Sequence, residues 1–194
     1  MFPKWYDFFM KPLERGIFYA IRKNLLAKAH GSVLEIGSGT GINFPFYQSV
    51  DKVVALEPNS DMIERSYTRL EESFVPIEII QERAEELPFE NHSFDTVVAT
   101  LVFCTIPNPD AAIKEIIRVC KPNGTILLFE HVRMAHPFLA RLQVWFTPYW
   151  KRVCDGCCLD RKTVELVKKQ GLEIEKIHAF YNGLFVQLVV KNRK

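Results

Sequence analysis

Apolar positions along this chain recur in two periods that alternate from one end to the other. Over residues 12–29, Leu13, Ile17, Ala20, Ile21, Leu25 and Leu26 fall at three- and four-residue steps, which predicts an amphipathic helix opening near Pro12. Ser32-Val-Leu-Glu-Ile36 is a short apolar run entering a glycine turn, and it predicts a buried strand. Similar runs at 53–56, 77–80, 94–102 and 125–129 predict four more strands. Helical spacing returns at 60–73, 109–120, 138–153 and 161–170. The helix at 109–120 stops at Lys121-Pro-Asn-Gly124, and the one at 161–170 is closed by Gly171. Two last strands, 173–179 and 184–190, are joined through Asn182-Gly183 with no helix between them.

Strands separated by helices imply a parallel sheet covered on both faces, and the helix-free last connection implies an antiparallel hairpin. The expected architecture is α/β: one doubly wound, mostly parallel seven-stranded sheet with an antiparallel C-terminal edge hairpin. No repeat or linker divides residues 1–194, so a single domain is expected. Residues 1–30 and 133–158 are expected to serve as lids over it, the first an amphipathic helical segment and the second an aromatic and basic insertion.

Composition excludes several classes. With 48% hydrophobic and 25% charged residues the chain is neither disordered nor low in complexity. The uncharged apolar stretch at residues 96–109 is too short to cross a bilayer and ends in prolines. The N-terminus lacks the pattern of a secretory signal. Net charge is +2, but residues 1–30 and 131–153 each carry +4, while residues 51–115 carry −9. That spread lacks the concentrated basic stripe of a nucleic-acid binder. The two basic segments also hold the aromatics: seven in the first twenty residues and five in residues 138–150, against 12% in the whole chain. Trp5, Phe8, Phe9, Trp145 and Trp150 beside Lys4, Lys11, Arg15, Arg141, Lys151 and Arg152 suit either a lid or reversible contact with an anionic membrane surface, or both.

Five cysteines, Cys104, Cys120, Cys154, Cys157 and Cys158, form an odd set without a secretory signal, so reduced thiols in a cytosol are expected. A cytoplasmic protein follows, peripheral at the inner membrane face if the aromatic segments touch lipid. Cys154-Asp-Gly-Cys157-Cys158 contains one CxxC, with His131 and His136 upstream. A structural zinc site is usually built from two such pairs, and there is no second. The expectation is therefore packing or pocket lining, with no metal.

The segment that decides the chemistry is Glu35-Ile-Gly37-Ser-Gly39-Thr-Gly41, between a predicted strand and the next element. There, glycines let backbone approach a ligand and N–H groups face it. The spacing is not the dinucleotide GxGxxG, since Ile42 stands where the third glycine would be, and no Walker lysine follows. About twenty residues later Leu56-Glu57-Pro58-Asn59 places a carboxylate at a strand end, where it can accept both hydroxyls of a ribose. The alternatives are a plain turn and a helix-capping glutamate. A third segment is Arg83-Ala84-Glu85-Glu86-Leu87-Pro88-Phe89, followed by Ser93-Phe94-Asp95.

The series EIGSGTG, LEPN, AEELPF, SFDTVVATLVFCTIPNP and RVCKPNGTILLFEHV resembles the class I S-adenosylmethionine-dependent methyltransferases over residues 32–132. The resemblance implies S-adenosyl-L-methionine as cofactor and S-adenosyl-L-homocysteine as product. It implies cofactor contacts from Tyr6, Glu35, Gly37, Ser38, Gly39, Thr40, Gly41, Asn43, Glu57, Pro58, Ala84, Glu85, Thr100 and Leu101. Glu57 would hold the ribose, and Ala84 and Glu85 would border the adenine. Many members have Asp where this chain has Arg83, and an arginine cannot accept the bond from the adenine amine, so backbone or Glu85 must replace it.

A narrower resemblance, through Gly39-Thr-Gly-Ile-Asn-Phe-Pro-Phe-Tyr47, residues 99–105, Glu130-His131-Val132 and Asp155-Gly156-Cys157, is to the microsomal alkyl-thiol methyltransferases of animals and their bacterial relatives. The animal members carry an N-terminal membrane helix that is not expected here. A sulfonium methyl donor is already activated, so the protein mainly has to align an acceptor and deprotonate it. The catalytic bases expected are His131, at a strand end, and Asp155; a structural imidazole and a turn carboxylate are the plainer readings. The implied function is methyl transfer to a small lipophilic acceptor, a thiol or a phenol. Alternatives are N-methylation of phosphatidylethanolamine, a non-catalytic cofactor-binding protein, and other acceptors such as arsenite. No nucleic-acid partner is expected.

Overall fold

The elements recognised from periodicity recur in the computed structural model, which describes residues 16–154 and 156–193. In chain order they are α1 (Ile17–Leu26), β1 (Ser32–Ile36), a 3-10 turn (Phe44–Phe46), β2 (Lys52–Leu56), α2 (Ser60–Leu70), β3 (Ile77–Ile80) and β4 (Phe94–Thr100). There follow α3 (Pro109–Val119), β5 (Cys120–His131), α4 (Pro137–Val153), α5 (Thr163–Lys169), β6 (Glu173–Phe180) and β7 (Phe185–Lys191). Tyr6, Asp155 and the basic and aromatic residues before position 16 lie outside the described residues.

All seven strands form one sheet in the order β3-β2-β1-β4-β5-β7-β6. Pairings from β3 through β5 are parallel, and β7 runs antiparallel to both β5 and β6. The expected C-terminal hairpin is present, and its first strand, β6, is the mostly exposed edge. Successive residues of a strand point to opposite faces, and both faces are buried. In β5, Ile126 and Leu128 join one core with α3 and α5, while Leu127 and Phe129 join a second core with α1.

Three boundaries differ from those read off the sequence. The buried stripe of α1 is Phe18, Ile21, Arg22, Leu25 and Leu26, and Ile17 stays at the surface. Phe18 wins the inward position because it packs edge-on against Phe129 and Phe185 at 5.1 and 4.9 Å between ring centres. The Lys121–Gly124 turn is not a break before a strand but an excursion within β5. Cys120 pairs with Phe94, the register slips, and pairing resumes at Thr125 opposite Thr96. Gly124 is required there, since a Cβ would lie 2.7 Å from Cys120 Sγ and 2.8 Å from the Lys121 carbonyl. Finally, β4 ends at Thr100, not at residue 102, because Leu101 turns into the left-handed region (φ 54°).

The 133–158 segment is mostly α4. It turns Ala140, Gln143 and Thr147 inward and leaves Phe138, Val144, Trp145, Phe146, Tyr149, Trp150 and Val153 exposed. Gln143 fixes the helix by bonding the Met134 N–H and the Val132 and Leu159 carbonyls at 2.8–3.0 Å. No helix among the described residues is long and apolar enough to cross a membrane.

Candidate active site

The strand order reverses between β2-β1 and β4-β5, and in open α/β sheets ligands bind at the carboxyl ends of the strands where this happens. A cavity of about 120 Å³, open to solvent, lies at that place. Its walls are the glycine turn (Gly37–Thr40), Ile42, Asn43, Glu57, Met62, the segment Thr100–Val102, Thr105, and Arg22 from α1.

The glycine turn is shaped by backbone. Gly37, Gly39 and Gly41 have φ of 64°, 56° and 75°. A Cβ on Gly37 would lie 2.2 Å from Val102 Cγ2, and one on Gly41 would lie 2.7 Å from the Phe44 ring. Gly39 differs: a Cβ there meets nothing within 4 Å. Its neighbour Ser38 has a buried hydroxyl with no partner among the described residues. Glu57, at the end of β2, accepts the Gly39 N–H at 2.9 Å on one oxygen and the Asn59 N–H at 3.0 Å on the other. That carboxylate ties the glycine turn to the start of α2, where Asn59 caps the helix by accepting the Asp61 N–H.

Behind this wall is a buried polar network. The Asn43 amide donates to Glu35 Oε1 (2.8 Å) and Thr100 Oγ1 (3.0 Å), and the Tyr47 hydroxyl donates to Glu35 Oε2 (2.9 Å). Arg22 donates to Asn43 Oδ1 at 2.9 Å and Thr100 Oγ1 at 2.7 Å. Burial pushes the Glu35 carboxyl up to about 7 despite these donors and the Arg22 charge. Glu35 therefore braces the cavity from behind and does not line it.

Of the other residues singled out from the sequence, Gly37, Ser38, Gly39, Thr40, Asn43, Glu57, Thr100 and Leu101 come together at the cavity. Pro58 is exposed and its carbonyl accepts from Gln81. Ala84 is buried in the core, and Glu85 accepts from Arg83 and from the Asn108 N–H; neither is a wall residue.

His131 ends β5 and lies among sulfurs. Its Nε2 is 3.1 Å from Cys157 Sγ, its Nδ1 is buried without a partner among the described residues, and Cys104 completes the group. The Cys104 thiol donates to Cys157, and that bond, helped by His131 and the Trp150 indole, holds the Cys157 thiol well below its ordinary range against the opposing effect of burial. Cys104 is pushed the other way, by its bond to Cys157 and by burial. Cys104 shares its turn with Val102 and Thr105 of the cavity wall, while Cys104, His131 and Cys157 are not themselves wall residues.

Comparison with known proteins accounts for this arrangement. The methyltransferase-domain family profile matches residues 34–128. The thiol S-methyltransferase TMT1B of Homo sapiens is 34% identical over 86% of this chain and 70% of its own length. The chain belongs to the class I S-adenosylmethionine-dependent methyltransferases. A phosphatidylethanolamine N-methyltransferase of Cereibacter sphaeroides is 35% identical, over 52% of this chain and 51% of its own. A putative methyltransferase structure from Bacillus halodurans superposes with a TM-score of 0.76 at 18% identity, covering 90% of this chain and 98% of that one.

The cofactor of class I methyltransferases fits the walls described. A glycine with open space above its Cα and a buried serine hydroxyl without a partner are features that a bound polar ligand would use. Arg22, a wall residue, was not singled out from the sequence, although a cation on the apolar stripe of a predicted helix was a signal. Cys104 and Cys157 were read as packing or pocket-lining thiols; their meeting with His131 joins the turn after β4, the loop after α4 and the end of β5.

Proposed function

We propose that this enzyme methylates a small lipophilic thiol. The observation that carries this reading is the similarity to a thiol S-methyltransferase along 86% of the chain. Among the described residues, Glu57 is the one carboxylate that lines the cavity, which offers little to a cationic acceptor. When bound, S-adenosylmethionine supplies a sulfonium-activated methyl group.

The chain's own residues hold and orient. Gly39 lets backbone approach the ligand where a side chain would block it. Glu57, whose two oxygens can together take about four hydrogen bonds, receives ribose hydroxyls while keeping its grip on the Gly39 and Asn59 N–H groups. Ser38 offers its hydroxyl, and Arg22, Asn43 and Thr100 keep the floor rigid. Proximity and orientation can lower a barrier by roughly 7–11 kcal/mol. A thiol titrates near about 8.5, so modest help suffices to ionise it. That help falls to the group formed by Cys104, His131 and Cys157.

A second reading concerns access. The aromatic face of α4, with Arg141, Lys151 and Arg152 on the same helix, suits reversible seating at an anionic membrane surface, each basic residue contributing about 1 kcal/mol. Lipophilic acceptors would then reach the site from the bilayer. The partial likeness to a phosphatidylethanolamine N-methyltransferase leaves a lipid headgroup as the competing acceptor. Product analysis after incubation with S-adenosylmethionine and either a short alkyl thiol or phosphatidylethanolamine vesicles separates the two.

A further inference from the structure

We propose that Cys104, His131 and Cys157 form a zinc site whose open fourth position takes the acceptor thiol. The second half rests on the thiol reading above; the metal site stands without it.

The three ligands come from distant parts of the chain: the turn after β4, the end of β5 and the loop after α4. Their ligand atoms all lie within 4.8 Å of one another, and His131 Nε2 stands 3.1 Å from Cys157 Sγ. In a tetrahedral zinc site with two sulfurs and an imidazole nitrogen, ligand atoms sit roughly 3.6–3.8 Å apart, a change reached by small side-chain rotations. Two cysteines and one histidine are a soft donor set suited to zinc, and three protein ligands with one open position is the pattern of catalytic zinc.

The surroundings hold the ligands in place. Glu130 Oε1 accepts the Val102 and Phe103 N–H groups at 3.0 and 3.2 Å, fixing the turn that carries Cys104. The Cys104 carbonyl accepts the Cys158 N–H at 2.9 Å, and Arg161 donates to the Ile106 carbonyl at 2.9 Å, so the turn and the loop carrying Cys157 are bound to each other. The Trp150 indole donates to Cys157, an outer-shell partner of the kind that orients metal ligands. Cys104 is buried, but Cys157 and His131 are half-exposed, which leaves one side of the cluster open. Cys104 shares its turn with Leu101, Val102 and Thr105, which line the cavity beside the glycine turn.

On zinc binding the Cys104 S–H bond breaks, its electron pair forms the bond to zinc, and the proton passes to solvent water. At the open position the acceptor's S–H bond breaks in the same way, its electron pair forms the bond to zinc, and its proton too passes to solvent water. The bound sulfur then needs no separate base.

Cobalt(II), used as a spectroscopic stand-in for zinc, should bind the reduced, purified chain one to one. Tetrahedral d–d bands and thiolate-to-cobalt charge transfer should appear, and both should vanish in Cys104→Ser and Cys157→Ser but persist in Cys154→Ser. In the unmutated chain, zinc should protect Cys157 from iodoacetamide at least tenfold, read by peptide mass with Cys154 as the unprotected reference, so the result does not depend on the variants folding. Ethanethiol should shift the charge-transfer band. Absence of tetrahedral bands together with unaltered alkylation overturns the site. Bands that ignore ethanethiol overturn the fourth-ligand role alone. Calorimetry with S-adenosylhomocysteine, run without metal, reports separately on the cofactor reading.

Discussion

Glu57 Oε2 accepts the Gly39 N–H at 2.9 Å, so the end of β2 holds the turn that follows β1. A single carboxylate thereby shapes the cavity wall and lines it. Glu57→Ala should weaken S-adenosylmethionine binding by on the order of 2–3 kcal/mol, through loss of charge-assisted hydrogen bonds. Isothermal calorimetry measures this, and an unchanged affinity would remove Glu57 from the site.

Gly39→Val tests the turn from the other side. The backbone there has φ 56° and open space above it, so a side chain projects where the cofactor should lie. The left-handed conformation costs roughly 1–2 kcal/mol for a non-glycine residue, which the fold should survive. Calorimetry should show no cofactor binding while circular dichroism stays native. Native affinity in a folded variant would place the cofactor elsewhere.

Glu35 gives a pH signature. Burial raises its folded-state value to about 7 from 4.5, so the native chain keeps this proton where the unfolded chain has released it. Stability from this group is complete below about 4.5 and is lost as pH rises through about 7. At about 1.4 kcal/mol per unit, the loss is on the order of 3 kcal/mol. Urea titrations at stepped pH should show the parent falling relative to Glu35→Gln across that window. A constant difference between the two proteins would mean that Glu35 is ionised throughout.

Trp145 and Phe146 are 61% and 49% exposed and stack edge-on against each other at 4.7 Å. Replacing both with serine should change stability by about 0.5 kcal/mol or less per site, as for surface residues generally. Co-sedimentation of the parent with anionic vesicles should be strong at low salt and weak at high salt, and the double variant should lose most of it. Equal pelleting of parent and variant would leave α4 with no part in lipid contact.

The fold was legible because its signals are local. Alternating helix and strand periods and the helix-free Asn182-Gly183 connection lead to the sheet that forms. The glycine turn and Glu57 were legible because the ligand wall is built from a strand end and the few residues after it. What stayed hidden is long-range. Arg22 reads as an ordinary helix cation until Asn43 and Thr100 are seen to receive it. The lone CxxC was set aside because it has no second pair, and the residues that Cys157 meets, Cys104 and His131, are 53 and 26 residues upstream of it, while Cys154 is outside the cluster. In α1 the predicted Ile21, Leu25 and Leu26 are buried, but at its start Phe18 and not Ile17 turns inward, to meet Phe129 and Phe185, contacts invisible in a helical period alone.

The most direct test of the central claim is turnover with S-adenosylmethionine, offering in parallel a short alkyl thiol, glutathione and phosphatidylethanolamine vesicles, with products identified by mass. The account predicts methyl thioether and S-adenosylhomocysteine in equal amounts from the alkyl thiol, with little product from glutathione and no methylated lipid. Methylated phosphatidylethanolamine with an unchanged alkyl thiol would contradict it.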